Sequence, residues 1–154
     1  MPKPSRLFIS HSHKDRPLVE RLARVLDEHK LRHWYSERHI VGAQQWHDEI
    51  GKALRRCNWL VLVLSPAAVA SRWVKYELLF ALEAKAYREH IVVLDYRKAN
   101  YRALSWTLRS LQWVDFRHGF DAGCRDLLRI WGQKHRPAKA KPPTKRAVAG
   151  RRPR

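Results

Sequence analysis

The sequence predicts an α/β fold, a five-stranded parallel sheet with helices on both faces. Three observations carry this expectation. Short, nearly unbroken apolar runs recur at Leu7–Ile9, Trp59–Leu64 and Ile91–Leu94, with a weaker one at Leu111–Phe116; such runs suit parallel strands covered on both sides. Segments of helical period lie between them. The connections are short, which implies crossovers of one hand within a single sheet. For a five-stranded chain of this size the simplest arrangement is the flavodoxin-like three-layer fold, strand order 2-1-3-4-5.

Each element has its own signal. After Leu7-Phe8-Ile9, Asp15 and Pro17 suit the start of a helix whose apolar residues Leu18, Leu22, Val25 and Leu26 share one face. Leu31–Tyr35 reads as a short strand near the edge. Trp46, Ile50, Ala53, Leu54 and Cys57 repeat the helical spacing. Ser65-Pro66 has the form of a cap followed by a first helical residue. Arg72–Arg88 reads as one long helix and Gly123–Trp131 as the last.

Composition divides the chain in two. It has 154 residues, 45% of them hydrophobic, and a formal charge of +18. Residues 132–154 hold nine Lys or Arg, no acid and half of the prolines, leaving about +9 on the body. Such a segment cannot bury enough apolar surface to offset its ordering entropy, so residues 1–131 are expected to fold and 132–154 to form a disordered basic tail. The tail suits weak, non-specific contact with polyanions, or none. No aromatic residue interleaves its charges, which argues against stacking on single strands. No targeting or membrane signal is visible. The uncharged run Asn58–Ser71 contains a proline and falls short of the ~18 apolar residues that span a bilayer. Cys57 and Cys124, with no C-x-x-C, fit reduced thiols in a cytoplasmic protein.

Topology alone places a site. Ligands of such sheets bind beyond the carboxyl ends of the strands where the order reverses, here between the first and third. The first strand exits into Ser10-His11-Ser12-His13-Lys14-Asp15 and the third into Ser65-Pro66. Glu77 is the odd residue of the apolar helix that follows, and Trp73 lies one turn earlier on the same face. Two readings stand for Glu77. A carboxylate on a covered helix faces a cleft with partners or a shifted pKa, or it is solvated near the helix N-terminus and favoured by the dipole.

These residues together resemble a known family. Phe8-Ile9-Ser10-His11-Ser12-His13-Lys14-Asp15 is similar to the first signature box of TIR (Toll/interleukin-1 receptor) domains. Gly42 with Trp46–Ile50 resembles their second loop and helix. Leu62-Val63-Leu64-Ser65-Pro66 with Ser71-Arg72-Trp73 resembles the third strand and its exit, and Gln112–Phe116 the last strand. Trp73-x-x-x-Glu77 resembles the W-x-x-x-E motif of the NAD-cleaving bacterial branch. The resemblance spans about residues 5–131. Val41 stands before Gly42 where many members have proline, and two histidines occupy the first box.

The resemblance implies an NAD+ glycohydrolase with NAD+ as substrate, no cofactor and no metal. Glu77 would be the catalytic carboxylate. Ser10, Ser12, Lys14, Trp46 and Trp73 would bind substrate. From the residues themselves, Ser10 and Ser12 equally suit bonds to their own loop backbone, with Lys14 solvated. The helical spacing of Trp46 with Ile50 and Ala53 favours core packing over a place in the pocket. The resemblance further implies self-association or docking to other TIR domains through Ile40–Gln45, in immune or cell-suicide signalling. A non-catalytic interaction module is the competing function. Other chemistries find little support: no H-E-x-x-H, Cys/His finger, G-x-S-x-G, P-loop or G-x-G-x-x-G is present. His11 and His13 lack a third metal ligand, and Cys57 and Asp95 read as structural.

Overall fold

A computed structural model describes residues 3–36 and 43–135, and the side chains of that second stretch from residue 48 onward. Five strands form one parallel sheet in the order β2-β1-β3-β4-β5: β1 (Leu7–Ser10), β2 (His33–Trp34), β3 (Trp59–Leu64), β4 (Ile91–Asp95) and β5 (Gln112–Asp115). This is the flavodoxin-like arrangement expected from the apolar runs. β3 lies at the centre and is buried along its whole length. The edge strands β2 and β5 are short and partly exposed.

The two-residue period of a strand sorts side chains between two layers. Leu7, Ile9, Trp59, Val61, Val63, Val92 and Leu94 pack with α1 (Arg16–Glu28) and α5 (Phe120–Ile130). Phe8, Leu60, Leu62, Leu64 and Val93 pack with α2 (Ala43–Arg56), the single-turn α3 (Pro66–Val69) and α4 (Arg72–Glu83). Ser10 has the same parity as Phe8, so its hydroxyl belongs to the layer of α4.

Caps follow the sequence in part. Ser65 is the N-cap of α3 and its Oγ accepts from the Ala68 amide at 3.0 Å. Ser71 caps α4, accepting from the Val74 amide at 3.3 Å. Asp15 occupies the N-cap of α1 but makes no side-chain cap bond.

The long helix expected over Arg72–Arg88 is shorter in the structure. α4 stops at Glu83 because Ala84 turns extended (ψ 128°), and Lys85–Tyr87 form a 3-10 turn. The turn drops Tyr87 into the core, where its hydroxyl donates to the Leu54 carbonyl at 2.5 Å. A continuous apolar period does not reveal this break, since Tyr87 is buried in either geometry. α5 begins three residues earlier than expected, after Gly119 at φ 150°. Packing continues past Trp131: the Gln133 amide donates to the Leu128 carbonyl at 2.9 Å, and His29 Nε2 lies 3.1 Å from the Lys134 carbonyl. Most of the expected tail, residues 136–154, lies outside the described residues.

One close approach governs the α5 side. A Cβ on Gly123 would stand 2.6–2.7 Å from the Phe116 ring carbons, and Phe116 is itself buried. Gly123→Ala is therefore expected to destabilise the protein by ~1–3 kcal/mol, overpacking outweighing the helix propensity gained. A lower urea midpoint checks this; an unchanged or raised midpoint would show that the ring yields freely.

Candidate functional site

At the carboxyl edge of the sheet, between β1 and β3, two carboxyl groups are buried, and each accepts a hydrogen bond from a serine. Glu77 is 6% exposed and Ser10 fully covered; the Ser10 hydroxyl donates to Glu77 Oε2 in a short contact. Asp15, 5% exposed, accepts a similarly short bond from the Ser65 hydroxyl.

Local structure explains the first pair. The last residue of β1 turns into the layer where α4 lies. On α4, Val74, Leu78 and Ala81 anchor one face in the core, and Glu77 falls between them. The solvated reading of Glu77 is thereby excluded. Among the described residues no cation pairs with it. Burial accordingly raises its pKa from the usual 4.5 to about 8, against the opposing pull of the Ser10 hydrogen bond. At neutral pH the Glu77 carboxyl is therefore mostly protonated.

The other expected site residues separate. Ser12 is buried and serves its own backbone, its Oγ accepting from the Lys14 amide at 3.4 Å at the head of the 3-10 turn His13–Asp15. The Lys14 side chain is exposed. Trp73 is half-buried against the core and meets Tyr76 edge-on at 6.0 Å. Trp46 belongs to α2, but its side chain lies outside the described residues, as do residues 40–42 of the expected docking loop. Asp95 is structural: it pairs with Arg117 at 3.3 Å, and its carbonyl accepts from the Phe116 amide.

Two features escaped the sequence reading. Asp15 and Ser65 each look like helix caps, yet their side chains join across 50 residues and tie the β1 exit to the β3 exit. His11 sits beside Tyr35, rings 5.9 Å apart and edge-on, and burial lowers its pKa more than the nearby Ile9 carbonyl raises it. The available signal was the placement of both polar pairs just beyond buried strands.

A family model described as a TIR domain matches residues 7–128. The chain belongs to the TIR domain family. A curated relative, the 2′ cyclic ADP-D-ribose synthase BtTIR of Bacteroides thetaiotaomicron, is 29% identical over 98 residues, 61% of this chain. The match covers 34% of that relative, so this TIR chain spans about a third of its length. Among solved structures, the TIR domain of the Toll-related receptor TRR-2 from Hydra magnipapillata superposes with a TM-score of 0.64 at 17% identity, covering 82% of this chain and 98% of that one. That likeness concerns the fold.

Burial of the Glu77 carboxyl makes the stability of this TIR domain pH-dependent. Below about pH 4.5 folded and unfolded chains both hold the proton. Between 4.5 and about 8 only the folded chain holds it, so this group makes stability fall as pH rises; above 8 the fall ends. Glu77→Gln should remove that component, on the order of 4 kcal/mol between pH 5 and pH 9. Urea unfolding of both proteins at the two pH values measures it; the same pH dependence in both would sink the assignment of a buried acid.

Proposed function

We propose that this chain cleaves the nicotinamide–ribose bond of NAD+, with Glu77 as the catalytic carboxylate. The observation that carries the proposal is the buried Glu77 carboxyl, held by Ser10 at the point where the strand order reverses. Nicotinamide leaves a pyridinium: the electron pair of the C–N bond returns to the ring nitrogen, and the ring departs neutral without a general acid. Positive charge then develops on the ribose. A carboxylate beside it in a water-poor setting stabilises that charge, and this suits one buried carboxylate, whereas ordinary glycosidases pair two. The pyridinium's own charge favours ionisation of Glu77, so substrate binding converts the neutral acid into its working form.

In this reading NAD+ is substrate and no cofactor is required. Trp73 and Trp46 shape the pocket or stack on a ring. Ser10 orients the carboxylate, while Ser12 and Lys14 lie at the mouth, where loop amides and the ammonium suit phosphate oxygens. The similarity to a 2′ cyclic ADP-D-ribose synthase supports NAD+ chemistry. It puts a cyclic ADP-ribose beside ADP-ribose and a base-exchange product, according to which nucleophile reaches the ribose carbon. We extend the proposal to a cytoplasmic setting, activation by self-assembly through Ile40–Gln45, and a role in immune or cell-suicide signalling. Weak polyanion contact through the tail belongs to it as well.

A second reading, a non-catalytic module docking other TIR domains, is favoured by one observation. α4 leaves Tyr76 53%, Leu79 41% and Phe80 37% exposed, a row of apolar side chains at helical spacing.

NAD+ consumption by the concentrated full chain, with products separated, tests the enzyme reading. Glu77→Ala is expected to slow turnover by roughly 100-fold or more while the protein stays folded. NAD+ that persists even after enforced clustering of the wild type would leave the docking module as the function. Wild-type kcat/KM, which follows the ionisation of the free protein, should climb as pH rises toward and through about 8, because the carboxylate is the active form. Since the Ser10 hydroxyl favours that form, Ser10→Ala should displace the rising limb to higher pH. A pH–rate profile unmoved in Ser10→Ala would deny Ser10 its share in tuning Glu77.

A further inference from the structure

A concavity lies where α2 passes the edge of the sheet. It has a volume of about 210 Å³ and is lined by Arg6, Trp34, Glu49, Lys52, Ala53 and Arg56. It shares no lining residue with the Ser10–Glu77 pair. Its cations come from two directions. Arg6 stands immediately before β1, and Lys52 and Arg56 are four residues apart on α2, hence on one helix face. Like charges at that spacing repel. None of the three enters an ion pair among the described residues. Arg56, in the last turn, complements the helix dipole, but that does not account for Arg6 or Lys52. Glu49 is the one acid at the rim, leaving an excess of two positive charges.

The cavity also has an aromatic wall. Trp34 rests on Phe8, ring centroids 5.0 Å apart and tilted by 32°, and is half-buried. Cations converging beside a supported indole suit a phosphate ester attached to a flat ring: guanidinium and ammonium groups bind the phosphate oxygens, and the indole offers a stacking face. A volume of this size admits one nucleotide unit at most. We propose that this cavity binds the phosphate and base of a single nucleotide, separately from the Ser10–Glu77 pair. The unit is either a free mononucleotide or the phosphorylated end of a strand.

Calorimetric titration of the full chain at fixed low salt with AMP, inorganic phosphate and a 5′-phosphorylated tetranucleotide tests the site. The variant Arg6→Gln/Lys52→Gln/Arg56→Gln keeps the basic tail, so tail binding is common to both proteins. It should weaken AMP by about tenfold or more with its melting temperature retained. Trp34→Leu should weaken AMP and leave inorganic phosphate unchanged; if that variant misfolds, the charge variant alone decides. The charge effect should persist in a Glu77→Ala background, which separates it from binding in the proposed active site. A tetranucleotide tighter than AMP by about tenfold identifies a strand end as the source, and equal affinities identify a single free nucleotide. No binding of any probe by the wild type, or the same affinity in the charge variant, overturns the proposal.

Discussion

The removal of one carboxyl group from water organises this end of the molecule. Glu77 sits on a helix whose neighbouring side chains, Val74, Leu78 and Ala81, commit that face to the core. An ionised carboxylate in such a place is costly unless paired, and the described surroundings supply a hydroxyl and no cation. The group therefore holds its proton to about pH 8. Stability is spent on a residue that a purely structural helix would replace with an apolar one, a trade common where chemistry is to be done. In the reading proposed above, the missing countercharge arrives with the substrate.

Ordinary fold physics holds the two polar pairs in place. Strand parity turns Ser10 toward α4, and the Asp15–Ser65 bond fastens the two loops that leave β1 and β3. Ser65 serves twice, accepting from the Ala68 amide to start α3 and donating to Asp15. The geometry of α3, the approach to α4 and the β1 exit loop are thus joined through one hydroxyl. Such a network is rigid when every member is satisfied, which is what a site needs from its supports.

Much of this was legible from residue order. Apolar runs without alternation suit strands covered on both faces, and four such runs with the short Leu31–Tyr35 segment, set between helical segments, make the 2-1-3-4-5 sheet the simplest arrangement. The N-cap at Ser65 lies at the start of α3, as its pairing with Pro66 implies. The buried Ser10–Glu77 pair lies at the sheet edge that topology singles out. The break of α4 at Ala84 did not follow, because a buried Tyr87 satisfies a helical period and a 3-10 turn alike; its hydrogen bond to Leu54, 33 residues away, decides between them. Asp15 stands at the start of α1 as expected, but the partner of its side chain escaped for a related reason. Its position is that of a helix cap, but the competing partner, Ser65, is distant in sequence.

By itself, then, the amino-acid sequence determined the class of fold, the strand order, the edge at which a site would lie and the residue types available there. These depend on local period and on the chirality of short connections, both carried by neighbouring residues. The tertiary structure decided whether Glu77 faces water or a partner, that its partner is Ser10, and that the Asp15 side chain, at the N-cap of α1, turns to Ser65 and makes no cap bond. It also brought Arg6, Trp34, Lys52 and Arg56 around one cavity. Protonation, burial and convergence of charge depend on groups far apart in the chain, and only the packed layers bring those groups within reach of one another.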